Sequence, residues 1–214
     1  IEAENGSTAE TTATLQVRVD DVVDAPSLTV ENASVAEDAP VPLHIEANVV
    51  DTDGSETVSG ITIAGVPEGA VLSAGTDNGG GTWTLAAGDL PGLTLTPAAN
   101  FNGTLSLFVT ATSIEASTGA TAESTAALEI TVSPIPDPPT VIVPPIVVGF
   151  EDSAITLNVA ALLSDPTASD SLQSVAISGV PDGAVLSAGT DTGNGVWMLS
   201  ASDLPGLTLT PAPN

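Results

Sequence analysis

The sequence predicts an all-β chain built from tandem Greek-key β-sandwich domains, and three observations predict it. Residues 66–100, VPEGAVLSAGTDNGGGTWTLAAGDLPGLTLTPAAN, recur as 180–214, VPDGAVLSAGTDTGNGVWMLSASDLPGLTLTPAPN, at an offset of 114 with 27 of 35 positions identical. Self-similarity at so long a period means an array of domains, not a solenoid of small units. Apolar residues alternate with polar ones in short runs, the period of half-buried strands. Glycine and proline punctuate those runs, at Gly65-Val66-Pro67, Gly79-Gly80-Gly81, Pro91-Gly92 and Pro97, where turns are expected.

The opening segment, IEAENGSTAETTATLQVRVDDVVDAP (1–26), matches IEASTGATAESTAALEITVSPIPDPP (114–139) at an offset of 113. Residues 1–24 therefore read as the C-terminal strands of a preceding repeat, 25–137 as a complete repeat, and 138–214 as the next one, truncated. Both termini are expected to be cut points in a longer chain, and an isolated 138–214 segment is expected to be poorly stable because its sheet edges lack partners. Junctions fall at Asp24-Ala25-Pro26 and Asp137-Pro138-Pro139, where proline stiffens a short linker. Within the complete repeat the first strand is expected over 27–35. The next follows from Leu43, Ile45, Ala47 and Val49, alternating with His44, Glu46 and Asn48. Further strands are expected at 57–64, 69–74, 81–86 and 92–97. Two more come from Leu105, Leu107 and Val109 and from Leu128, Ile130 and Val132. About eight short strands in one repeat suit a sandwich. The LNVAALLSD stretch (157–165) could hold a turn of helix, although its counterpart LHIEANVVD reads as strand.

Composition narrows the function. Asp and Glu number 27 against a single Lys or Arg, Arg18, for a formal net charge of −26. Such a chain repels nucleic acid and anionic membranes, and its natural counter-ions are metal cations. Apolar residues make up 42%, so the chain can build a core, but aromatics are only 2%; Trp83 and Trp197 are the large anchors. There is no cysteine, hence no disulfide framework and no thiolate metal site. No apolar run approaches the roughly 20 residues of a membrane span. IEAENGSTAE lacks the basic and apolar regions of a signal peptide.

The carboxylates gather at particular places. Asp20, Asp21 and Asp24 sit at the first junction, Glu37-Asp38 follows, Asp51-Thr52-Asp53-Gly54-Ser55-Glu56 forms a loop, and Glu115 follows a strand. In a sandwich these segments can converge at domain ends. Ca²⁺ takes six to eight hard oxygens, and D-x-D spacing supplies two from one loop. The alternative is a solvated acidic surface that keeps the chain soluble; the D-T-D-G loop alone lacks the twelve-residue EF-hand pattern, and it is recurrence at junctions that favours Ca²⁺.

The AED and FED starts (36–38, 150–152), the D-x-D-G loop, PAANFNG (97–103) before a strand and the Asp-x-Pro linker together resemble the cadherin-like, immunoglobulin-like repeats of giant bacterial RTX-type adhesins exported by type I secretion. The resemblance covers the whole chain. It implies Ca²⁺ at domain junctions, an extender role in cell adhesion or biofilm, an extracellular or cell-surface location, and neighbouring repeats as partners, with other domains reaching cell or abiotic surfaces. By position, the ligands at the first junction would be Asp20, Asp21, Asp24, Glu37, Asp51, Asp53 and Glu115. The next junction would use Glu37, Glu115, Asp137 and Asp165, with Thr167 in place of Asp53 and Asp170 in place of Glu56. Glu151, the counterpart of Glu37, completes the set. The Gly-Asp nonapeptides of RTX β-helices are absent from the sequence.

Other motifs carry little. Asn78-Gly79-Gly80-Gly81 lacks the Lys-Ser/Thr of a phosphate loop and reads as a hairpin turn. His44 is the only histidine, so a catalytic triad or His-based zinc site is not expected. Glu37 and Asp38, adjacent on a strand, point to opposite faces and make no acid/base couple. The sequons at Asn5, Asn32 and Asn102 are what a Ser/Thr/Asn-rich chain contains by chance. The two tryptophans read as core rather than sugar platforms. No enzymatic constellation emerges; a glycan- or protein-binding module is the competing function.

Overall fold

A computed structural model of the chain describes residues 10–19, 21–51, 53–165 and 170–213. The first unit contains β1 (Ser27–Glu31), β2 (Ala33–Ala36), β3 (Val41–Pro42), β4 (His44–Asn48), β5 (Glu56–Ala64), β6 (Val71–Leu72), β7 (Thr76–Asp77), β8 (Thr82–Leu85), β9 (Thr94–Thr96), β10 (Gly103–Glu115) and β11 (Thr121–Ser133). One sheet has six strands in the order β2-β11-β10-β5-β8-β7. β2 runs parallel to β11 at its edge, and the other neighbours are antiparallel. The second layer joins β1 to β4 and places β9 between β3 and β6. β3 and β4 are halves of one extended run: the Leu43 N–H donates to the Leu93 carbonyl at 2.9 Å.

Alternation builds the core as the sequence implies. On β10, Leu105, Leu107, Val109 and Ala111 are buried while Ser106 and Phe108 face out. They meet Leu128, Ile130 and Val132 of β11, Ile61 and Ile63 of β5, and Val41, Leu43, Ile45 and Leu95 of the facing layer in one cluster. Each fully buried aliphatic side chain contributes about 1.5–3 kcal/mol. Trp83 on β8 packs into this core opposite Ile63.

The second unit repeats the pattern through β12 (Thr140–Ile142), β13 (Ile155–Thr156), β14 (Ala160–Leu162), β15 (Val175–Ser178), β16 (Val185–Leu186), β17 (Thr190–Gly193), β18 (Val196–Leu199) and β19 (Thr208–Thr210). β12-β14, β13-β19-β16 and β15-β18-β17 reproduce β1-β4, β3-β9-β6 and β5-β8-β7. Trp197 lies opposite Ile177 as Trp83 lies opposite Ile63. Residues 160–162 form strand, so the helical turn considered for 157–165 is not there. Val143, Ile146, Val148 and Phe150 are exposed. Among the described residues before Pro26 there is no strand, and Leu15, Val17 and Val19 are exposed.

Several expected boundaries move. The run 27–35 is divided at Asn32, whose side-chain oxygen accepts the Glu129 N–H at 3.0 Å, and 69–74 shrinks to β6. Short 3₁₀ turns at Ala87–Asp89 and Ala201–Asp203 were not foreseen; the Asp89 and Asp203 carboxylates accept the Ala86 and Ser200 N–H groups at 2.8 and 2.7 Å. Gly81 has φ +75, and a Cβ there would sit 2.4 Å from the Val66 carbonyl oxygen. Gly195 faces Val180 in the same way, which is why glycine recurs at this turn. No helix among the described residues is long and apolar enough to cross a membrane.

Candidate functional site

Two acidic clusters lie at the ends of the first unit. The first depends on a bulge. β5 pairs with β10 as Ile61↔Ala111 and Thr112↔Gly60, then as Ser113↔Val58 and Glu115↔Glu56, leaving Ser59 unpaired. The Ser59 hydroxyl donates to the Thr112 carbonyl at 3.1 Å. One extra residue flips every later side chain to the other face. Glu56 therefore turns inward with the buried face of β10 and stands directly opposite Glu115. Their exposures are 4% and 0%. Like charges so paired oppose each other.

Loops close over this pair. The Asp53 N–H donates to Asp51 Oδ1 at 3.0 Å and the Ser55 N–H to Asp53 Oδ1 at 2.8 Å. The Ala116 N–H donates to the Ser55 carbonyl at 3.0 Å, and the Ser117 N–H to Glu115 Oε1 at 2.8 Å. The linker is tied down as well: the Asp24 N–H donates to Glu56 Oε1, and the Ser113 hydroxyl to the Asp24 carbonyl. The Ser117 N–H, against the opposing effect of burial, holds the Glu115 carboxyl below its ordinary value. The Ser55 N–H does the same for Asp53. Yet Glu56 Oε2 and Glu115 Oε2 are buried with no hydrogen-bond partner.

The second cluster spans the linker to the next unit. Glu37 is 2% exposed; its Oε1 accepts the Ile135 N–H at 2.6 Å, and its Oε2 is buried without a partner. The Asp137 N–H donates to Asp170 Oδ2 at 2.9 Å, repeating the Asp24–Glu56 contact. Burial first, then the charges of Asp38, Asp170, Glu37 and Asp165, push the Asp137 carboxyl above its ordinary value. Asp165 is buried at 1% exposure.

The structure thus sorts the expected ligands. Asp24, Asp51, Asp53 and Glu115 belong to the first cluster. Asp137, Asp165 and Asp170 belong to the second. Glu37, expected at both, lies at the second, and Glu115, also expected at both, lies at the first. Asp21 and Glu151 are exposed. Asp20 and Thr167 lie outside the described residues. Glu56 and Asp38 were not among the expected ligands. Glu56 was recoverable, because its counterpart Asp170 was chosen at the same repeat position.

Buried carboxylate oxygens with no donor fit a hard cation. The sequence offers a single Lys or Arg, Arg18, against 27 Asp and Glu, so basic side chains cannot neutralise these clusters in general. The fit is one of donor chemistry and burial. Among the described residues no group of three or more His, Cys, Asp or Glu side chains is already arranged to hold a metal ion. Backbone carbonyls and water also serve Ca²⁺.

A family model described as a bacterial Ig domain matches residues 23–131, which is the first unit with its linker. No curated protein matches the chain.

Proposed function

We propose, for a chain that belongs to the bacterial Ig domain family, that its repeats are Ca²⁺-stabilised extender units of a large extracellular adhesin. Bacterial Ig domains are typically non-catalytic. The observation that carries the reading is the set of orphaned buried oxygens on Glu37, Glu56 and Glu115, placed at the two junctions. An unpaired buried charge is costly unless a counter-ion meets it. At the first junction Glu56, Glu115, Asp51 and Asp53 would hold the ion, with Asp24 in the linker. At the second, Glu37, Asp38, Asp137, Asp165 and Asp170 would do so. Bound Ca²⁺ supplies positive charge that turns mutual repulsion into shared ligation, and the linker is then held between neighbouring units. Secretion, adhesion and biofilm roles follow from the resemblance to RTX-type adhesins, and they make other repeats and surfaces the partners.

The competing reading as a glycan-binding module gains little support from Trp83, which is buried at 9% exposure. Thermal unfolding in EDTA and in millimolar Ca²⁺ tests the proposal. A midpoint that rises with Ca²⁺ and does not rise with equal ionic strength of NaCl is expected; equal midpoints would sink it.

A further inference from the structure

The end of the first unit has a feature that cation binding alone does not account for. Asp38 and Asn100 both adopt left-handed backbone, at φ 61 and 56. Glycine takes that conformation without strain, and most positive-φ positions among the described residues are glycine. Retaining Asp and Asn at these points gives their side chains a task. Asp38 Oδ1 accepts the Asn100 N–H at 3.0 Å. That bond fixes the turn and aims the Asn100 amide out of its own unit. Asn100 Nδ2 donates to the carbonyl of Ser164 in the second unit at 3.3 Å. The Ser164 hydroxyl in turn donates to the Pro138 carbonyl of the linker at 2.8 Å.

We infer that this end face is a docking surface for the next unit of the same chain, and that Asn100 sets the angle between neighbours. The inference rests on the reading of the chain as an array of extender units. The parts recur: Asp152 repeats Asp38 at φ 57, and TPAAN (96–100) recurs as TPAPN (210–214). A single amide–carbonyl bond adds little net stability. Its role is orientation, and the strength of the junction comes from the carboxylates once a cation meets them.

The test uses Asn100→Gly, which keeps the left-handed backbone and the N–H to Asp38 and removes only the side-chain amide. The sequence has no cysteine, so Thr84→Cys and Asp182→Cys, both at exposed positions, give a unique pair of spin labels. In Ca²⁺ the parent pair is expected to show one narrow distance distribution. Asn100→Gly should broaden it about twofold or shift its centre, because unrestrained domains move relative to each other by default. The unfolding midpoint should not fall, since glycine takes the left-handed backbone without strain. Identical distributions with and without the Asn100 amide would overturn the docking role. If the variant differs from the parent while the parent ignores Ca²⁺, docking stands and the cation reading falls.

Discussion

Replacing Glu37 by glutamine keeps shape and removes charge. Glu37 Oε1 accepts the Ile135 N–H, and a glutamine carbonyl can still do so. Oε2 is buried with no partner, beside the acidic linker residue Asp137. In EDTA the native carboxylate stands uncompensated, and an unsatisfied buried polar group costs about 1–3 kcal/mol, more when charged. Glu37→Gln should therefore stabilise the cation-free protein by about that amount, roughly 4 °C or more for a domain of about this size. On the proposed function, Ca²⁺ should reverse the balance. At ~100 times the dissociation constant, one ion adds about 2.7 kcal/mol; a tenfold weaker site under the same conditions adds about 1.4 kcal/mol. With an ion at each end of the first unit and only the Glu37 site weakened, the variant should thus gain about three-quarters as much from Ca²⁺ as the parent, about 4.1 against about 5.4 kcal/mol. Urea unfolding followed by tryptophan fluorescence, with Trp83 reporting the first unit, measures both arms. A variant less stable than the parent in EDTA, or one that gains as much from Ca²⁺, would refute the reasoning.

Other outcomes follow from the same structure. Gly81→Ala forces a Cβ to 2.4 Å from the Val66 carbonyl at positive φ; a left-handed non-glycine residue alone costs roughly 1–2 kcal/mol, so a drop of at least that size in urea-unfolding stability is expected. The Asp137 carboxyl has a raised pKa, so the folded state binds its proton more tightly than the unfolded chain does. In EDTA its contribution makes stability fall as pH rises from the ordinary value of 3.8 through the raised one, and recover as pH is lowered. Comparing pH–stability curves of the parent and Asp137→Asn isolates this effect, since Glu115 and Asp53, with lowered values, push the other way.

Much of the fold was legible because alternation and repetition are local signals. Leu105, Leu107 and Val109 announce their strand and its buried face, and the 114-residue offset places Trp197 where Trp83 sits. The cluster at Glu56 was harder to read. Continuing the inward parity of Ile61 and Ile63 back along β5 sends Glu56 to the outside, and only the unpaired Ser59 turns it in. Gly60, next to Ser59 inside the strand, is the one local sign of that bulge, and by itself it does not say which way the later side chains turn. The assignment of Glu37 and Glu115 to opposite ends was equally hidden. It depends on strand direction in the sandwich, which spacing along the chain does not reveal. In the sequence Asn100 stands out only as part of PAANFNG (97–103) ahead of a strand, and its reach to Ser164 becomes visible only when two units lie side by side.

The central claim is that the buried carboxylates of the junctions are cation ligands. Calorimetric titration of the chain with Ca²⁺, beside a variant carrying Glu37→Gln, Glu56→Gln and Glu115→Gln, tests it most directly. Extracellular modules bind Ca²⁺ with dissociation constants of about 10⁻⁴–10⁻³ M. The parent should bind in or below that range and the variant should lose the binding while remaining folded in EDTA. Equal heats and equal stoichiometry in the two proteins would contradict the account.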